Sequence, residues 1–250
     1  MSIFSKIFGK SSQLKIAADL SVLKCDIHSH FIPGIDDGAQ TMEDSIALIG
    51  AFGKMGYKKV ITTPHILTDG YRNTPEIILA GLEKVRVALK TEGIPVEVAA
   101  AAEYYIDFDF ERKLENEELL TFGAKYLLFE VSYLYPPDNL YSIIFKLLTN
   151  GYKPVLAHPE RYNFWHNKFE KYEELKEKGV LLQLNINSLT GHYSPETKKV
   201  AELLIEKNMI DFLGSDCHHL NHVDLITSVA VYEKALHKLI ESGKLLNNTL

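Results

Sequence analysis

Seven short runs of branched apolar residues recur along this chain, and helix-like segments separate most neighbouring runs. Continuous apolar runs of this kind are typical of strands that are buried on both faces of a parallel sheet. The predicted strands are Leu23–His28, Lys59–Thr63, Pro95–Ala102, Tyr126–Val131, Pro154–Ala157, Val180–Asn187 and Ile210–Gly214. Strands that alternate with helices predict an α/β fold with a mostly parallel sheet.

Helix signals support this alternation. Thr41 and Asp44 form a capping-box pattern ahead of the first helix. Thr74 followed by Pro75 marks the start of the second helix. Three later segments repeat an amphipathic pattern, and a last helix is expected over about Asp224–Ser242.

Nearly every predicted strand ends in a histidine or a carboxylate. The strand ends read DIHSH, TTPH, AAAE, LFE, AHPER, LNIN and GSDCH. In β/α barrels the active site lies at the C-terminal ends of the strands. The polar strand ends therefore favour a closed seven-stranded β/α barrel with its functional site at that face.

The residue types at these positions predict a metal site. Residues two apart on a strand share a face, so His28 and His30 can bind one ion, and Asp216 and His218 repeat this spacing. The candidate ligands are His28, His30, Asp36 or Asp37, His65, Glu103, Glu130, His158, Asp216 and His218. One zinc ion needs about three or four protein ligands, so this set predicts a cluster of about two or three ions with Glu103 or Glu130 as a bridge. Imidazole and carboxylate ligands without thiolate favour Mn, Fe or Zn.

Some of these positions taken alone have ordinary structural explanations. His65 or His158 could be a hydrogen-bonded turn residue, and Glu130 could be a buried charge paired with an arginine. The recurrence of the same residue types at corresponding positions of successive units favours the metal cluster. His192 and His222 lie on predicted loops at the same face, where substrate contact competes with plain solvent exposure.

Composition narrows the possible functions. The 250 residues can bury a sizeable core, and the formal net charge of −6 gives no reason to expect a nucleic-acid partner.

The two cysteines, Cys25 and Cys217, form no disulfide framework, so we expect buried thiols and a reducing, cytoplasmic compartment. No apolar run reaches the roughly 18 residues that a membrane helix needs. Residues 1–22 are expected to be a flexible N-terminal extension.

The strand-end motifs together resemble one known superfamily. DIHSH followed by an IDDG loop, TPH, AAAEYY, LLFEVS, LAHPERY and GSDCH are similar to motifs of the PHP (polymerase and histidinol phosphatase) metallohydrolases. Within that superfamily the chain most resembles the bacterial manganese-dependent protein-tyrosine phosphatases of the CpsB/YwqE type. The resemblance implies a distorted seven-stranded, TIM-like barrel over residues 23–250 that holds about three ions, with Mn²⁺ expected and Fe or Zn as alternatives.

The resemblance also implies a role for each candidate residue. The first ion would be held by His28, His30, Glu103 and Asp216. Glu103 would bridge to a second ion held by Glu130 and His158. The third ion would be held by His65, His218 and an aspartate of the IDDG loop. Asp37 is the expected ligand, and Asp36 stays open as a ligand or a substrate contact.

Arg161 would bind the substrate phosphate beside His158. Relatives often carry another arginine shortly after the SDxH motif, and this chain has none there. Phosphate binding would then depend more heavily on Arg161, or on His219 or His222.

The implied activity is metal-dependent hydrolysis of phosphotyrosine in proteins. The expected substrate and partner is the tyrosine-rich tail of a bacterial tyrosine kinase that controls capsular or exopolysaccharide synthesis. Cys217 is followed by HHLNHV, so neither cysteine belongs to the phosphate-binding loop of a thiol phosphatase. Two alternatives stay open: a small-molecule phosphomonoesterase such as histidinol phosphatase, and a metal-binding module without catalytic activity.

Overall fold

The computed structural model describes residues 14–116 and 119–250, and its strands form two parallel sheets. The strands are β1 (Cys25–Asp26), β2 (Lys59–Thr62), β3 (His65–Ile66), β4 (Glu97–Ala100), β5 (Glu103–Tyr105), β6 (Tyr126–Glu130), β7 (Lys153–Ala157), β8 (Leu181–Asn185) and β9 (Phe212–Gly214). The strand orders are β1-β2-β4 and β3-β5-β6-β7-β8-β9. Each predicted run overlaps a strand, so the predicted α/β class with parallel strands is confirmed. The short strands β3 and β5 were not predicted.

The predicted closed barrel is not what the described hydrogen bonds show. The chain passes from one sheet to the other three times: across a short break from β2 to β3 and from β4 to β5, and through α2 from β3 back to β4. In the first break Pro64 has no amide hydrogen to donate, which interrupts the ladder. Beyond the ends of β1 and β9, Ser29 and Cys217 form an isolated parallel bridge in place of a ladder.

The helices cover the sheets. They are α1 (Met42–Lys54), α2 (Pro75–Thr91), α3 (Phe110–Asn116), α4 (Leu140–Thr149), α5 (Glu170–Glu177), α6 (Pro195–Glu206), α7 (Leu220–Ser228) and α8 (Lys234–Glu241). The predicted capping box is confirmed: the Thr41 hydroxyl accepts from the Asp44 amide at 3.1 Å, and the Asp44 carboxylate accepts from the Thr41 amide at 3.0 Å. At the start of α2 the Thr74 hydroxyl accepts a hydrogen bond from the Ile77 amide.

The prediction of one continuous last helix was wrong. Helices α7 and α8 are separated by a 3-10 turn at Ala230–Tyr232. Val229 leaves the helical conformation, with φ −128° and ψ −62°. The carbonyls of Val231 and Tyr232 instead accept hydrogen bonds from the amides of Ala18 and Leu14, at 2.7 Å and 2.8 Å. Tertiary pairing with the N-terminal segment therefore overrides the helical pattern.

A layer of apolar side chains lies beneath the strand ends that carry the functional groups. This small cluster includes Ile27, Ile61, Leu128, Val155 and Phe212, all of them buried. Because side chains alternate along a strand, Leu128 shares its face of β6 with Glu130. The same strands that bury apolar groups in this layer thus present polar groups at their C-terminal ends.

The ends of the described chain are also tied to the sheets. Leu20–Leu23 forms a 3-10 helix in which Leu20 and Leu23 are buried. The remaining part of the expected extension, residues 1–13, lies outside the described residues. Cys25 and Cys217 are free and buried, as predicted. Among the described residues, no helix has the length and apolar character required to cross a membrane.

Candidate metal centre

Most of the predicted ligands lie where a strand begins or ends. His28 and His30 follow β1, Glu103 opens β5, and His158 and Asp216 follow β7 and β9. His158 and Asp216 have φ values of 35° and 47°, a left-handed conformation that non-glycine residues rarely adopt. Backbone strain of this kind is concentrated at functional sites, where the surrounding structure must support it.

The first group of possible ligands is fully buried. Donor atoms of His28, His30, Glu103 and Asp216 all lie within 4.8 Å of one another. The His28 Nε2 atom lies 3.1 Å from Glu103 Oε2 and 3.4 Å from Asp216 Oδ1. The His28 and His30 Nε2 atoms face each other at 3.4 Å. Two imidazole nitrogens and two carboxylates that converge in this way fit a shared cation.

Each histidine of this group is oriented through its other ring nitrogen. Nδ1 of His28 lies 2.7 Å from Gln183 Oε1, and Nδ1 of His30 lies 2.8 Å from Asp36 Oδ2. Partners of this type fix the ring and the tautomer of a metal-binding histidine. Gln183 was missed in the sequence, although a polar residue in an apolar strand run was a usable signal.

The second group of possible ligands contains Asp37 but not its neighbour Asp36. His30, Asp37, His65 and His218 offer donor atoms within 4.8 Å of one another. Asp37 Oδ1 lies 3.5 Å from His65 Nε2 and 3.4 Å from His218 Nε2. The hydrogen bond from His218 lowers the pKa of Asp37 to about 2. Asp36 is instead buried, where its carboxylate accepts hydrogen bonds from the His65 and Gly38 amides.

The third group centres on Glu103. His65, Glu103 and Glu130 have donor atoms within 4.8 Å of one another, and His158 Nε2 lies 3.1 Å from Glu103 Oε1. Within the described residues, Nδ1 of His65 is buried and makes no hydrogen bond of good geometry, although oxygens of Glu103 and Glu130 lie 3.2 Å and 3.3 Å away. A buried donor atom that faces two carboxylates without bonding to either fits a metal ion between them.

The electrostatics of the centre agree with a need for positive charge. Burial opposes protonation of His65, but the neighbouring Glu103 carboxylate outweighs it and raises the pKa of His65 to about 9. Burial alone would raise the pKa of Glu103, yet His28 and His65 hold it well below its ordinary value. Burial and the charge of Arg161 lower the pKa of His158. Protonated imidazoles thus balance the negative charge of the buried carboxylates, which is the role that bound metal cations would take.

Arg161 is held beside this centre. Its Nη1 donates to Asp216 Oδ2 at 2.7 Å, and the Asn185 side-chain amide donates to the same oxygen at 3.0 Å. The guanidinium carbon lies 4.1 Å from the ring centroid of Tyr193 and 5.0 Å from that of Tyr133. Stacking of both rings on a guanidinium restricts its orientation. The sequence pointed to the strand end with Asn185 but gave no signal for either tyrosine.

A cavity of about 420 Å³ opens over the centre. Four tyrosines contribute to its wall: Tyr71, Tyr105, Tyr133 and Tyr193. His219 and His222 also line it. His222 lies on α7 and not on the predicted loop, and His219 immediately precedes that helix. His222 accepts a hydrogen bond from the His218 amide at 3.3 Å, and burial lowers its pKa to about 4. His192 is exposed, with its ring 5.5 Å from that of His222.

Comparison with known proteins places this centre in a family context. Residues 24–237 match the family described as capsular polysaccharide synthesis, CpsB/CapC. The tyrosine-protein phosphatase YwqE of Bacillus subtilis is 32% identical over 208 residues, which cover 83% of this chain and 82% of the relative. A crystal structure from work on YwqE of Bacillus subtilis and CpsB of Streptococcus pneumoniae, described as unique metal-dependent tyrosine phosphatases, superimposes with a TM-score of 0.75. That match has 29% identity and covers 86% of this chain and 94% of the other.

A more distant structure shares the fold alone. The histidinol phosphate phosphatase of Lactococcus lactis superimposes with a TM-score of 0.52 at 14% identity, covering 84% of this chain and 93% of that protein.

Proposed function

The chain belongs to the CpsB/CapC family of capsular polysaccharide synthesis proteins, and on that basis we propose that it is a metal-dependent protein-tyrosine phosphatase. The observation that carries the proposal is the convergence of three overlapping histidine and carboxylate groups beneath an aromatic-walled cavity that also contains Arg161. The proposed substrate is a phosphotyrosine tail of a bacterial tyrosine kinase that acts in capsular or exopolysaccharide synthesis. The two unpaired, buried cysteines support a cytoplasmic location.

The proposed metal ligands follow the three groups. His28, His30, Glu103 and Asp216 would hold one ion, and His65, His218 and Asp37 another. Glu103 would also serve a third position with Glu130 and His158. Mn²⁺ is the proposed ion, with Fe or Zn as alternatives, because the donor set combines imidazole and carboxylate without thiolate. Ions of this kind neutralise phosphate charge and activate water for attack on phosphorus.

Arg161 is proposed to bind the phosphate. It lines the cavity, and a planar guanidinium can donate two parallel hydrogen bonds to phosphate oxygens. The ion pair with Asp216 and the stacked rings of Tyr133 and Tyr193 hold the guanidinium beside the proposed ligands before substrate arrives. Such preorganisation reduces the reorganisation required in the transition state.

The tyrosine side chains of the wall are proposed to accommodate the phenyl ring of the substrate. Aromatic rings prefer offset or edge-to-face contacts with one another. A cavity of about 420 Å³ falls within the ordinary size range of small-molecule sites, about 300–1,000 Å³, which suits one phosphotyrosine side chain.

The architecture is proposed to be a distorted seven-stranded barrel over residues 23–250, with residues 1–22 as an extension. The bridge between Ser29 and Cys217 supports closure, since it joins the chain after the first and last strands. The hydrogen bond from the Asp216 amide to the His28 carbonyl, at 2.7 Å, supports it as well.

One comparison of substrates tests the proposed activity. Metal-loaded protein should hydrolyse p-nitrophenyl phosphate and a phosphotyrosine peptide, and chelation followed by addition of Mn²⁺ should abolish and restore both. Histidinol phosphate should be a poor substrate. A preference for histidinol phosphate would favour a small-molecule phosphatase, and no turnover of any phosphomonoester would favour a non-catalytic binding module.

A further inference from the structure

A second, smaller cavity of about 240 Å³ lies directly beside the cavity over the metal centre. Leu67 contributes to the wall of both cavities. Tyr71 lines the first and its neighbour Arg72 lines the second, and on β5 Tyr105 lines the first while Tyr104 lines the second. The wall between the two cavities is thus formed by Leu67 and by two pairs of neighbouring residues, Tyr71 with Arg72 and Tyr104 with Tyr105.

Cationic groups predominate in the lining of the second cavity. Arg72, Arg112 and Lys113 line it together with a single carboxylate, that of Asp109. Asp109 already accepts from the Arg112 guanidinium at 2.9 Å and from Lys113 Nζ at 2.6 Å. Arg72 makes no ion pair within the described residues, and Arg112 and Lys113 share the single carboxylate of Asp109. Three cations of the lining therefore face one carboxylate of the lining, a surplus of two positive charges.

Arg72 is also held in place by its neighbours. Its Nε donates to the Thr68 carbonyl at 2.9 Å, which fixes the guanidinium while leaving its two outer nitrogens to other partners. The Thr68 amide donates to Asp107 at 2.9 Å. A planar guanidinium with both outer nitrogens available is suited to bidentate contact with a carboxylate or a phosphate.

The loop that carries Arg72 is connected to the metal centre. The Asn73 side-chain amide donates to the carbonyls of His65 and Ile35, at 2.9 Å each. His65 is a proposed ligand, and Ile35 precedes the two loop aspartates. The position of Arg72 relative to the first cavity is therefore set by the same hydrogen bonds that shape the site.

We propose that the second cavity is a subsite for an anionic group on the same peptide as the phosphotyrosine, and this proposal rests on the proposed phosphatase function. The anion is a carboxylate or a second phosphate on a residue near the phosphotyrosine, bound by Arg72. An extended peptide advances about 3.3–3.6 Å per residue, so a residue a few positions away can cross the ridge formed by Leu67. The subsite gives the enzyme a preference for acidic or multiply phosphorylated tyrosine-containing segments.

The test compares peptides that differ only beside the phosphotyrosine, with Gln, Glu or a second phosphotyrosine at the flanking positions, on metal-loaded protein. In the wild type, kcat/KM should be higher for the two anionic peptides than for the Gln peptide. Arg72→Gln should reduce this preference by about two- to fivefold, the range for one exposed ion pair, mainly through KM. Arg72→Glu should reverse it, and Arg86→Gln, which changes an exposed arginine of α2 outside both cavities, should leave it unchanged.

The outcomes separate the subsite from the proposed function. Turnover of p-nitrophenyl phosphate, which has no flanking residue, should be the same in wild type and Arg72→Gln. Equal use of the three peptides by the wild type, or a preference that Arg72→Gln and Arg72→Glu leave intact, would overturn the subsite while the phosphatase function stands. A response to only one of the two anionic peptides would identify carboxylate or phosphate as the bound group. Failure to hydrolyse any phosphotyrosine substrate would overturn both.

A binding measurement provides a readout apart from catalysis. Fluorescently labelled versions of the three peptides, each carrying a non-hydrolysable phosphonate in place of the phosphotyrosine, can be titrated with metal-loaded protein. Kd should show the same order and the same dependence on Arg72. Equal Kd values for the three peptides would contradict the subsite.

Discussion

Arg161 and Asp216 form an ion pair of 2.7 Å in which the two oxygens of the carboxylate face different partners. Its Oδ2 accepts from Arg161, while its Oδ1 lies 3.4 Å from Nε2 of both His28 and His30. The residue proposed to bind phosphate is therefore connected through one carboxylate to the residues proposed to bind the first ion. This arrangement would set the distance between a phosphate on Arg161 and ions held by these ligands.

Arg161→Ala should lower both kcat and kcat/KM on a phosphotyrosine peptide. The fall in kcat/KM should correspond to a loss of about 2–4 kcal/mol of transition-state stabilisation, as for loss of an oxyanion donor. Arg161→Lys keeps the charge but loses the planar pair of donors, so its loss should be intermediate. Metal content at saturating Mn²⁺ should be unchanged in both variants, because the proposed ligands remain. Near-normal kcat/KM in Arg161→Ala would assign phosphate binding to other groups of the cavity.

The neighbouring aspartates Asp36 and Asp37 should respond differently to the same substitution. Asp37→Asn removes a proposed ligand and should reduce the number of ions bound per chain. Asp36→Asn keeps the ligands but weakens the orientation of His30, so it should lower metal affinity by about 10–100-fold while full occupancy is reached at high metal concentration. Metal titration followed by elemental analysis distinguishes the two. Identical behaviour of the variants would show that the loop does not divide these roles.

Metal affinity should increase with pH. In the metal-free protein the pKa of His65 is raised to about 9, above the ordinary 6.5. Its protonated form therefore stabilises the metal-free fold most fully below pH 6.5, and that contribution is lost as the pH rises through about 9. A metal ion must displace this proton, so affinity should rise by up to about tenfold per pH unit for each proton displaced. Calorimetric titration between pH 6.5 and 9 measures the slope, and a Kd independent of pH would count against histidine ligation.

Asn247 should contribute to stability without contributing to activity. Its buried amide donates to the carbonyls of Cys25 and Leu213 at 3.0 Å and 2.7 Å and accepts from the Leu213 amide at 2.9 Å. It thus links β1 to β9. Asn247→Ala should lower the free energy of unfolding in urea by about 1–3 kcal/mol, because buried backbone groups lose their partners. Its exposed neighbour provides a matched control, since Asn248→Ala should change the free energy of unfolding very little. Equal losses of stability in the two variants would contradict the structural role of Asn247.

Most strands, and most of the residues that converge at the centre, could be predicted from the sequence because both depend on local patterns. The apolar runs identified seven of the nine strands in the described residues and missed the short strands β3 and β5. The residue types at strand ends pointed to His28, His65, Glu103 and the other residues that converge. The partners of those ligands could not be predicted. Gln183 lies 155 residues from His28, and pairing over such a separation is decided by the fold.

The distinction between Asp36 and Asp37 also required the structure. Adjacent residues of identical chemistry carry no difference in sequence, and only the turn at Gly38 decides which carboxylate faces His218. The interruption of the last predicted helix also depends on contacts of the folded chain. The carbonyls of Val231 and Tyr232 pair with a segment more than 200 residues earlier, which an analysis of local periodicity does not detect.

The most direct test of the central claim is the number of metal ions bound per chain, measured by elemental analysis of protein purified without chelator and loaded with Mn²⁺. We expect about two or three ions per chain in active wild-type protein. Glu103→Gln, which keeps the shape of the side chain but removes the charge shared by two of the three ligand groups, should lose at least one ion and most phosphotyrosine turnover. One ion or none in fully active wild-type protein, or full occupancy with wild-type turnover in Glu103→Gln, would contradict the claim that these strand ends form a bridged metal cluster.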